Sequence, residues 1–157
     1  MTEEELLQVI ERAAAEEWTE LDLAGKGLTI LPPEIGKLIR LKKLVLGKYK
    51  YDEKGRIVGF IGNNLKELPK EIGLLAQLAE LLIIDNQLSE LPAEFGQLIN
   101  LQSLNLFRNQ LSELPAEIGQ LTNLQSLKNR ENQLSELQEE IGQHTKLKKL
   151  RKRGSRV

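Results

Sequence analysis

The sequence predicts an α/β solenoid: a right-handed coil with one parallel concave sheet and short helical or 3₁₀ turns on its convex side. Three observations lead to this prediction. Residues 78–100 and 101–123 are consecutive segments of 23 residues that match at most positions. In each segment, leucines alternate with other residues and an asparagine follows, which is typical of a short strand that ends in a turn. A proline, an acidic residue and a glycine then mark a short return segment.

The alternation in residues 101–123 assigns two faces to the predicted strand. Leu104 and Leu106 point inward, whereas the residues on either side of them point outward. Asn109 lies where the chain leaves the strand, and its amide can bond backbone groups of neighbouring coils that have no regular partner. The same position recurs in each unit and predicts a structural ladder of Asn63, Asn86, Asn109 and Asn132.

A single repeat cannot bury enough apolar surface to fold by itself. Each inward leucine contributes on the order of 2 kcal/mol when it is fully buried, whereas ordering the chain costs upwards of about 1 kcal/mol for every residue. Neighbouring coils must therefore complete the burial and pair the strand, which predicts one continuous solenoid.

The whole chain, residues 1–157, fits a single domain. The repeat pattern divides it into an N-terminal cap helix at residues 1–17, five repeats over residues 18–146, and a partial repeat with a basic tail at residues 147–157.

Residues 2–17 predict an amphipathic helix. Thr2 and Glu5 have the spacing of a capping box, and apolar residues recur on one face of the helix. Because the end of a solenoid needs a cover, we expect this helix to cap the first coil, and docking on a partner is the alternative. The apolar face consists of Leu6, Ile10, Ala13 and Ala14.

The second repeat contains a hairpin-like insertion at about residues 48–62. Tyr49 and Tyr51 alternate with lysines, a turn-like DEKGR stretch follows, and Phe60 lies in a second apolar run. We expect the hairpin to leave the sheet beside the concave surface, because insertions in a repeat map to loops on one face. Two roles are open: a binding flap, or a hairpin that packs its aromatic residues onto the solenoid.

The repeat pattern weakens toward the C-terminus. Asn129, Gln138 and His144 replace an inward leucine, the proline and another leucine of the fifth repeat. No recognisable cap follows, so we expect the array to end open. An open end exposes a strand edge, which predicts a monomer or a weak homodimer formed through the uncapped C-terminal end.

Composition argues against several kinds of chemistry. The chain has no cysteine, which excludes disulfides and thiolate metal sites and favours a reducing, cytoplasmic location. Its one histidine, His144, cannot form a metal cluster or a catalytic triad by itself. The AGKGL stretch around Lys26 lacks the flanking residues of a phosphate-binding loop. We therefore expect no enzyme activity, no metal and no cofactor.

Charge is distributed unevenly along the chain. Residues 1–17 hold six glutamates and one arginine, whereas residues 144–157 hold seven lysines and arginines and no acidic residue. This basic tail lacks the interleaved aromatic residues that stack on bases, so a solvated tail is the better interpretation. No apolar run is long enough to span a membrane. We expect neither nucleic acid nor a membrane as a partner.

The LPxEIGxL form of the repeat resembles the intracellular leucine-rich repeats of bacterial and Ras-suppressor-like proteins. The segments TEEELLQVIERAAAEEWTELDLAGKGLT and LKKLVLGKYKYDEKGRIVGFIGNNLKELPKEIGLL are more narrowly similar to the N-terminal repeat region of cyanobacterial leucine-rich-repeat proteins, including Roco-type GTPases. This resemblance covers about residues 1–128. It implies a leucine-rich-repeat solenoid with a protein-interaction role and, in Roco-type proteins, GTP hydrolysis by a following domain that lies beyond these residues.

The expected function is that of a non-enzymatic protein–protein interaction module with a protein partner on its concave face. Large apolar residues occupy several outward strand positions, and an apolar patch rimmed by charge is typical of an interaction site. The alternatives are that the hairpin folds back over this patch, that the chain is a regulatory fragment of a larger Roco-type GTPase, or that it is a self-assembling structural repeat protein. The predicted binding residues are Val45, Leu82, Ile84, Phe107, Tyr49, Tyr51 and Phe60.

Overall fold

The computed structural model describes residues 1–134 and the backbone of residues 149–151. Within these residues an α-helix, α1 (Glu3–Ala15), precedes a series of strands and 3₁₀ turns. The strands are β1 (Glu20–Asp22), β2 (Lys43–Tyr51), β3 (Ile57–Ile61), β4 (Glu80–Ile83), β5 (Ser103–Asn105), β6 (Ser126–Lys128) and β7 (Lys149–Arg151). The 3₁₀ turns are Pro33–Lys37, Lys70–Leu74, Ala93–Gln97 and Ala116–Gln120.

The strands form the parallel sheet that the repeat pattern predicts. Their order across the sheet is β1-β2-β4-β5-β6-β7, and β3 pairs antiparallel with β2. Leu44, Leu81, Leu104 and Leu127 are successive neighbours across the sheet. The register between β2 and β4 shifts once, between Val45 and Gly47, just before the insertion. The predicted α/β solenoid is confirmed.

Inward-facing leucines fill the space between the sheet and the 3₁₀ turns. Leu104 and Leu106 are both 0% exposed, as the assigned strand faces require. A fully buried leucine contributes roughly 1.5–3 kcal/mol. Because each coil buries these side chains against the coils on either side, the array is stabilised only as a whole.

All four 3₁₀ turns of the described residues begin one residue after a proline. The carbonyl oxygen of Pro115, for example, accepts a hydrogen bond from the Ile118 N–H at 3.0 Å. A proline in this pattern predicts the first helical position, whereas Pro115 lies one residue earlier, at the N-cap. Its missing N–H interrupts no hydrogen bond there. An acidic residue occupies the first turn in each case, as predicted, at Glu34, Glu71, Glu94 and Glu117.

The asparagine ladder is confirmed. Asn109 Nδ2 donates to the carbonyl oxygen of Ile83 in the preceding coil at 2.7 Å and to that of Leu106 at 3.1 Å. Asn109 Oδ1 accepts from the Leu88 N–H at 3.1 Å. Each amide thus satisfies backbone groups on two coils that the sheet leaves unpaired. Equivalent bonds are formed by Asn63, Asn86 and Asn132.

Helix α1 packs on the first coil. The Thr2 hydroxyl accepts from the Glu5 N–H at 3.1 Å, and the Glu5 carboxylate accepts from the Thr2 N–H at 2.8 Å, which completes the predicted capping box. Leu6, Ile10 and Ala13 are buried in the hydrophobic core. In the part of the chain that the structure describes, no helix is both long and apolar enough to cross a membrane.

The fifth repeat departs from the pattern at Asn129. Its side chain faces inward and is 0% exposed, as predicted. Among the described residues, neither its amide nitrogen nor its amide oxygen has a hydrogen-bond partner. The predictions for Gln138, His144 and the basic tail concern residues that lie outside the described ones.

Candidate protein-binding surface

Among residues 1–134, no group of three or more histidine, cysteine or acidic side chains could hold a metal ion. Gly25 and Gly27 both have a φ of 69° in the turn after β1, a conformation that favours glycine. The AGKGL stretch is therefore the strand-to-turn corner that the repeat register predicts.

The insertion forms a β-hairpin that grows out of the sheet. Strand β2 pairs with β1 and β4 through its first half and with β3 through its second half. Tyr49 lies opposite Phe60, and Tyr51 lies opposite Ile57. Opposed residues share a face of an antiparallel pair, so these four side chains lie on one face of the hairpin.

Asp52 closes the turn of the hairpin. Its Oδ1 accepts from the N–H groups of Lys54 at 2.8 Å and Arg56 at 2.9 Å, and its Oδ2 accepts from Arg56 Nε at 2.8 Å. The Arg56 N–H, and after it the Arg56 side chain, hold the pKa of the Asp52 carboxyl below its ordinary value. The DEKGR stretch thus supplies its own turn contacts.

Two glycines allow the base of the hairpin to approach the third repeat closely. A Cβ atom at Gly47 would lie 1.7 Å from the carbonyl oxygen of Ile84. A Cβ atom at Gly62 would lie 1.6 Å from the carbonyl oxygen of Asp85. Any other residue at either position would separate the hairpin from the coil beside it.

Val45 and Ile84 are not available to a partner, which corrects the prediction that they form an open concave patch. Val45 is 7% exposed and Ile84 is 0% exposed, although both occupy outward strand positions and lie outside the solenoid core. The base of the hairpin lies against this part of the sheet, so the alternative in which the hairpin folds back holds here. Leu82 is half-buried.

Beyond its base, the hairpin packs its aromatic residues on the fourth repeat. The ring centroid of Phe107 lies 5.4 Å from that of Phe60 and 5.9 Å from that of Tyr49. The Tyr49 ring is also 6.2 Å from the rings of Phe60 and Tyr51. The ring planes are tilted by 42° to 67°, and the centroid distances lie within the range of roughly 4.5–7 Å that is favourable for aromatic pairs. The structure therefore brings these four predicted binding residues together.

Polar contacts support the same packing. Asn105 Nδ2 donates to the Tyr49 hydroxyl at 3.3 Å. The Arg108 guanidinium lies 4.5 Å from the centre of the Phe60 ring, and Arg108 Nε donates to Asp85 at 3.3 Å. A cation over an exposed aromatic ring contributes about 0.5–1 kcal/mol. The hairpin is thus held to both the third and the fourth repeats.

A groove of about 290 Å³ lies beside these contacts, between the hairpin and the C-terminal repeats. Its lining combines apolar and aromatic side chains with two cations. The hairpin contributes Tyr49, Ile57 and Phe60, and the repeats contribute Phe107, Lys128 and Arg130.

The outer part of the hairpin exposes apolar side chains next to this groove. Tyr51, Ile57 and Val58 are 57%, 53% and 57% exposed. Tyr51 is one of the predicted binding residues, whereas Ile57 and Val58 are not, although the apolar run after the DEKGR turn is a signal for them. Lys128 and Arg130, which follow the inward Leu127, are also absent from the predicted set. We call the following set the hairpin surface: Tyr49, Tyr51, Ile57, Val58, Phe60, Phe107, Lys128 and Arg130.

A parallel-sheet solenoid with an apolar surface beside its concave face defines a repeat-type interaction module. The model of the leucine-rich repeat region matches residues 54–156, which is more than half of the chain. The chain therefore belongs to the leucine-rich-repeat family, whose members are protein-interaction scaffolds rather than enzymes. No curated protein sequence matches it significantly.

Solved structures show the same fold. A leucine-rich-repeat protein of Leptospira interrogans is 29% identical, with a TM-score of 0.60 over 91% of this chain and 46% of that one. The plant peptide hormone receptor RGFR1, in complex with RGF2, is 38% identical, with a TM-score of 0.61 over 76% of this chain and 18% of the receptor. The ectodomain of the receptor kinase SOBIR1 from Arabidopsis thaliana is 27% identical, with a TM-score of 0.65 over 87% and 70%. The chain thus spans less than half of the length of the first two proteins.

Proposed function

We propose that this chain is a non-enzymatic binding module that holds a protein partner against the hairpin surface. The observation that carries the proposal is the exposure of Tyr51, Ile57 and Val58 beside a groove with an aromatic lining. Large apolar side chains in water are unfavourable when they cluster, and clusters rimmed by charge are typical of protein interfaces. Membership of a family of interaction scaffolds supports the proposal.

The hairpin surface replaces the open concave patch that the sequence suggested. Burial of Val45 and Ile84 removes the centre of that patch, whereas the hairpin adds aromatic side chains above it. A rigid scaffold that carries an inserted element near its binding face is a common arrangement for recognition. The similar receptor RGFR1 is described in complex with RGF2, which supports a polypeptide as the partner.

A comparison of two matched variants tests this function. Ile57 on the hairpin and Ile99 after the third 3₁₀ turn are almost equally exposed, at 53% and 54%. We expect Ile57→Ser to reduce affinity capture of the partner from cells of the source organism, and Ile99→Ser to leave capture unchanged. Both variants should unfold at the same denaturant concentration as the unmodified protein. Equal capture by all three proteins would place the interface elsewhere.

Three finer points stay predictions. They are the location in the cytoplasm, the monomeric or weakly dimeric state, and the resemblance to Roco-type proteins with a GTPase domain. The dimer prediction depends on the C-terminal end, most of which lies outside the described residues.

A further inference from the structure

Charge on the concave side changes sign along the array. Strand β1 carries Glu20 and Asp22 at its outward positions, whereas β6 ends in Lys128 and Arg130 follows two residues later. The groove therefore opens at the basic end of the concave side.

Several cations near the hairpin have acidic partners. Lys48 Nζ lies 2.6 Å from the Asp22 carboxylate, and Lys43 Nζ lies 3.9 Å from that of Glu80. Burial raises the pKa of the Asp22 carboxyl, but the bonds from Lys48 and the Ala24 N–H outweigh it, so this pKa lies below its ordinary value. These pairs neutralise the N-terminal part of the concave side.

Lys128 and Arg130 differ from these paired cations. Among the described residues, neither forms an ion pair with an acidic side chain. The Arg130 Nε is also buried and, within the same residues, has no hydrogen-bond partner. A buried N–H without an acceptor is unfavourable. Arg130 also lines the groove, where a carboxylate can reach its guanidinium group, and guanidinium groups bind carboxylates strongly.

The groove beside these cations is apolar and small. Its volume of about 290 Å³ is close to the lower limit of roughly 300 Å³ for small-molecule pockets. Tyr49, Phe60 and Phe107 form a continuous aromatic wall, and Ile57 is half open to water. Such a groove accommodates one or two apolar side chains of a bound segment, next to which the cations can hold carboxylates.

We infer that the groove of the hairpin surface binds an acidic segment of the partner protein in which an aromatic or large aliphatic side chain is flanked by glutamate or aspartate. The apolar side chain lies in the groove against the wall of Tyr49, Phe60 and Phe107, and the carboxylates bind Lys128 and Arg130. This inference rests on the proposed function and specifies the partner's chemistry.

Nucleic acid fits the same features less well. The aromatic rings pack on one another, and Arg108 covers one face of Phe60, so that free faces for base stacking are reduced. Binding of a phosphate backbone needs a track of cations, whereas Asp85 and the Asp52–Glu53 pair bring carboxylates to the third repeat and the hairpin turn. An acidic polypeptide needs only the two cations in the groove.

The test uses the full chain and labelled ten-residue peptides with one phenylalanine among glutamates. Matched peptides carry lysine in place of glutamate, or alanine in place of phenylalanine. We expect saturable binding of the first peptide alone, measured by fluorescence anisotropy, and weaker binding as salt rises because the contacts are partly electrostatic. No saturation up to about 1 mM, or equal binding of all three peptides, would overturn the inference.

Two charge variants locate the site. Arg130→Gln should weaken binding of the acidic peptide by about tenfold or more, because it removes a charge-assisted hydrogen bond. Lys70→Gln, on an exposed residue of the second 3₁₀ turn, is the control and should leave binding unchanged. Equal losses in both variants would indicate a general effect of net charge and would contradict the assigned site.

Two further outcomes separate this inference from the proposed function. If partner capture depends on Ile57 but the protein prefers a single-stranded oligonucleotide of equal length and charge, the partner chemistry is wrong. If capture depends on Ile57 but not on Arg130, the hairpin surface binds a protein through apolar contacts alone. Failure of Ile57→Ser to affect capture contradicts the proposed function itself.

Discussion

Two regions of the molecule are held in place by different kinds of contact: the regular coils of residues 78–123 and the hairpin of residues 48–62. The regular coils use the same leucine and asparagine positions in each repeat, so the strand pairing and the asparagine bonds of one coil have counterparts in the next. The hairpin uses contacts that occur once: two glycines at its base and an aromatic cluster on Phe107. One region is specified by periodicity and the other by long-range packing.

This difference indicates where substitutions could change what the protein binds without disrupting its fold. Substitution at a repeat position removes a contact on which two neighbouring coils depend. Substitution on the exposed face of the hairpin, at Ile57 or Val58, leaves the sheet and the ladder intact. The predictions below test this separation, from the largest expected effect to the smallest.

Substitution of an inward leucine should cause the largest loss of stability. Leu104 is 0% exposed, so Leu104→Ala should lower the free energy of unfolding by about 2–5 kcal/mol through lost burial and a residual cavity. Chemical denaturation measures this change. Gln102→Ala, at an exposed position two residues earlier, is the control and should change stability by less than about 0.5 kcal/mol. Similar losses in both variants would contradict the assigned strand faces.

The asparagine ladder should give an intermediate effect. Asn109→Ala removes three hydrogen bonds to buried backbone groups and should cost about 1–3 kcal/mol of unfolding free energy. Asn100 offers a matched control, because its exposed amide makes one bond, to the Ala76 carbonyl oxygen at 2.7 Å. If Asn100→Ala proves as destabilising as Asn109→Ala, burial does not decide the strength of these contacts.

Substitution of Asn129 in the irregular fifth repeat should raise the free energy of unfolding rather than lower it. Asn129→Leu restores the leucine of the repeat pattern and removes a buried amide that has no partner among the described residues. Stability should rise by about 1–3 kcal/mol, measured as an increase in the free energy of unfolding. Asn129→Val provides a smaller side chain in case leucine overfills the space. A loss of stability in both variants would show that the amide is satisfied.

The hairpin turn should give the smallest and most local effect, which depends on pH. Hydrogen bonds from Arg56 lower the pKa of Asp52, so the stabilisation by its carboxylate is present above the ordinary value of 3.8 and is lost as pH falls through the lowered value. NMR shifts of the Lys54 and Arg56 amides should therefore move below about pH 4. Asp52→Asn should remove this transition, and an unchanged transition would assign it to another group.

Most of the fold could be predicted from the sequence because the same residue pattern recurs in several repeats. The strand register, the capping box and the asparagine ladder depend on residues close in sequence or on one repeated position. The burial of Val45 and Ile84 could not be predicted in this way. Alternation shows which face a side chain occupies, but it does not show what covers that face.

The binding surface was predictable only in part for the same reason. The contact of Phe60 with Phe107 joins an inserted hairpin to a coil two repeats away, and no periodicity encodes that distance. Lys128 and Arg130 line the groove beside this contact, and the repeat pattern does not indicate that groove. Gly47 and Gly62 flank the insertion in the sequence, but only the structure shows that they allow the close approach to Ile84 and Asp85.

A double-mutant cycle on Phe60 and Phe107 tests most directly whether the hairpin packs on the concave side. The single changes Phe60→Leu and Phe107→Leu and their combination are compared by chemical denaturation. Packed rings at 5.4 Å predict a coupling of about 0.5–1.5 kcal/mol. The control pairs Phe60→Leu with Phe95→Leu in the third 3₁₀ turn, and it should be additive within about 0.5 kcal/mol. Additivity in both pairs would mean that the hairpin projects freely, and it would contradict the groove on which the proposed binding depends.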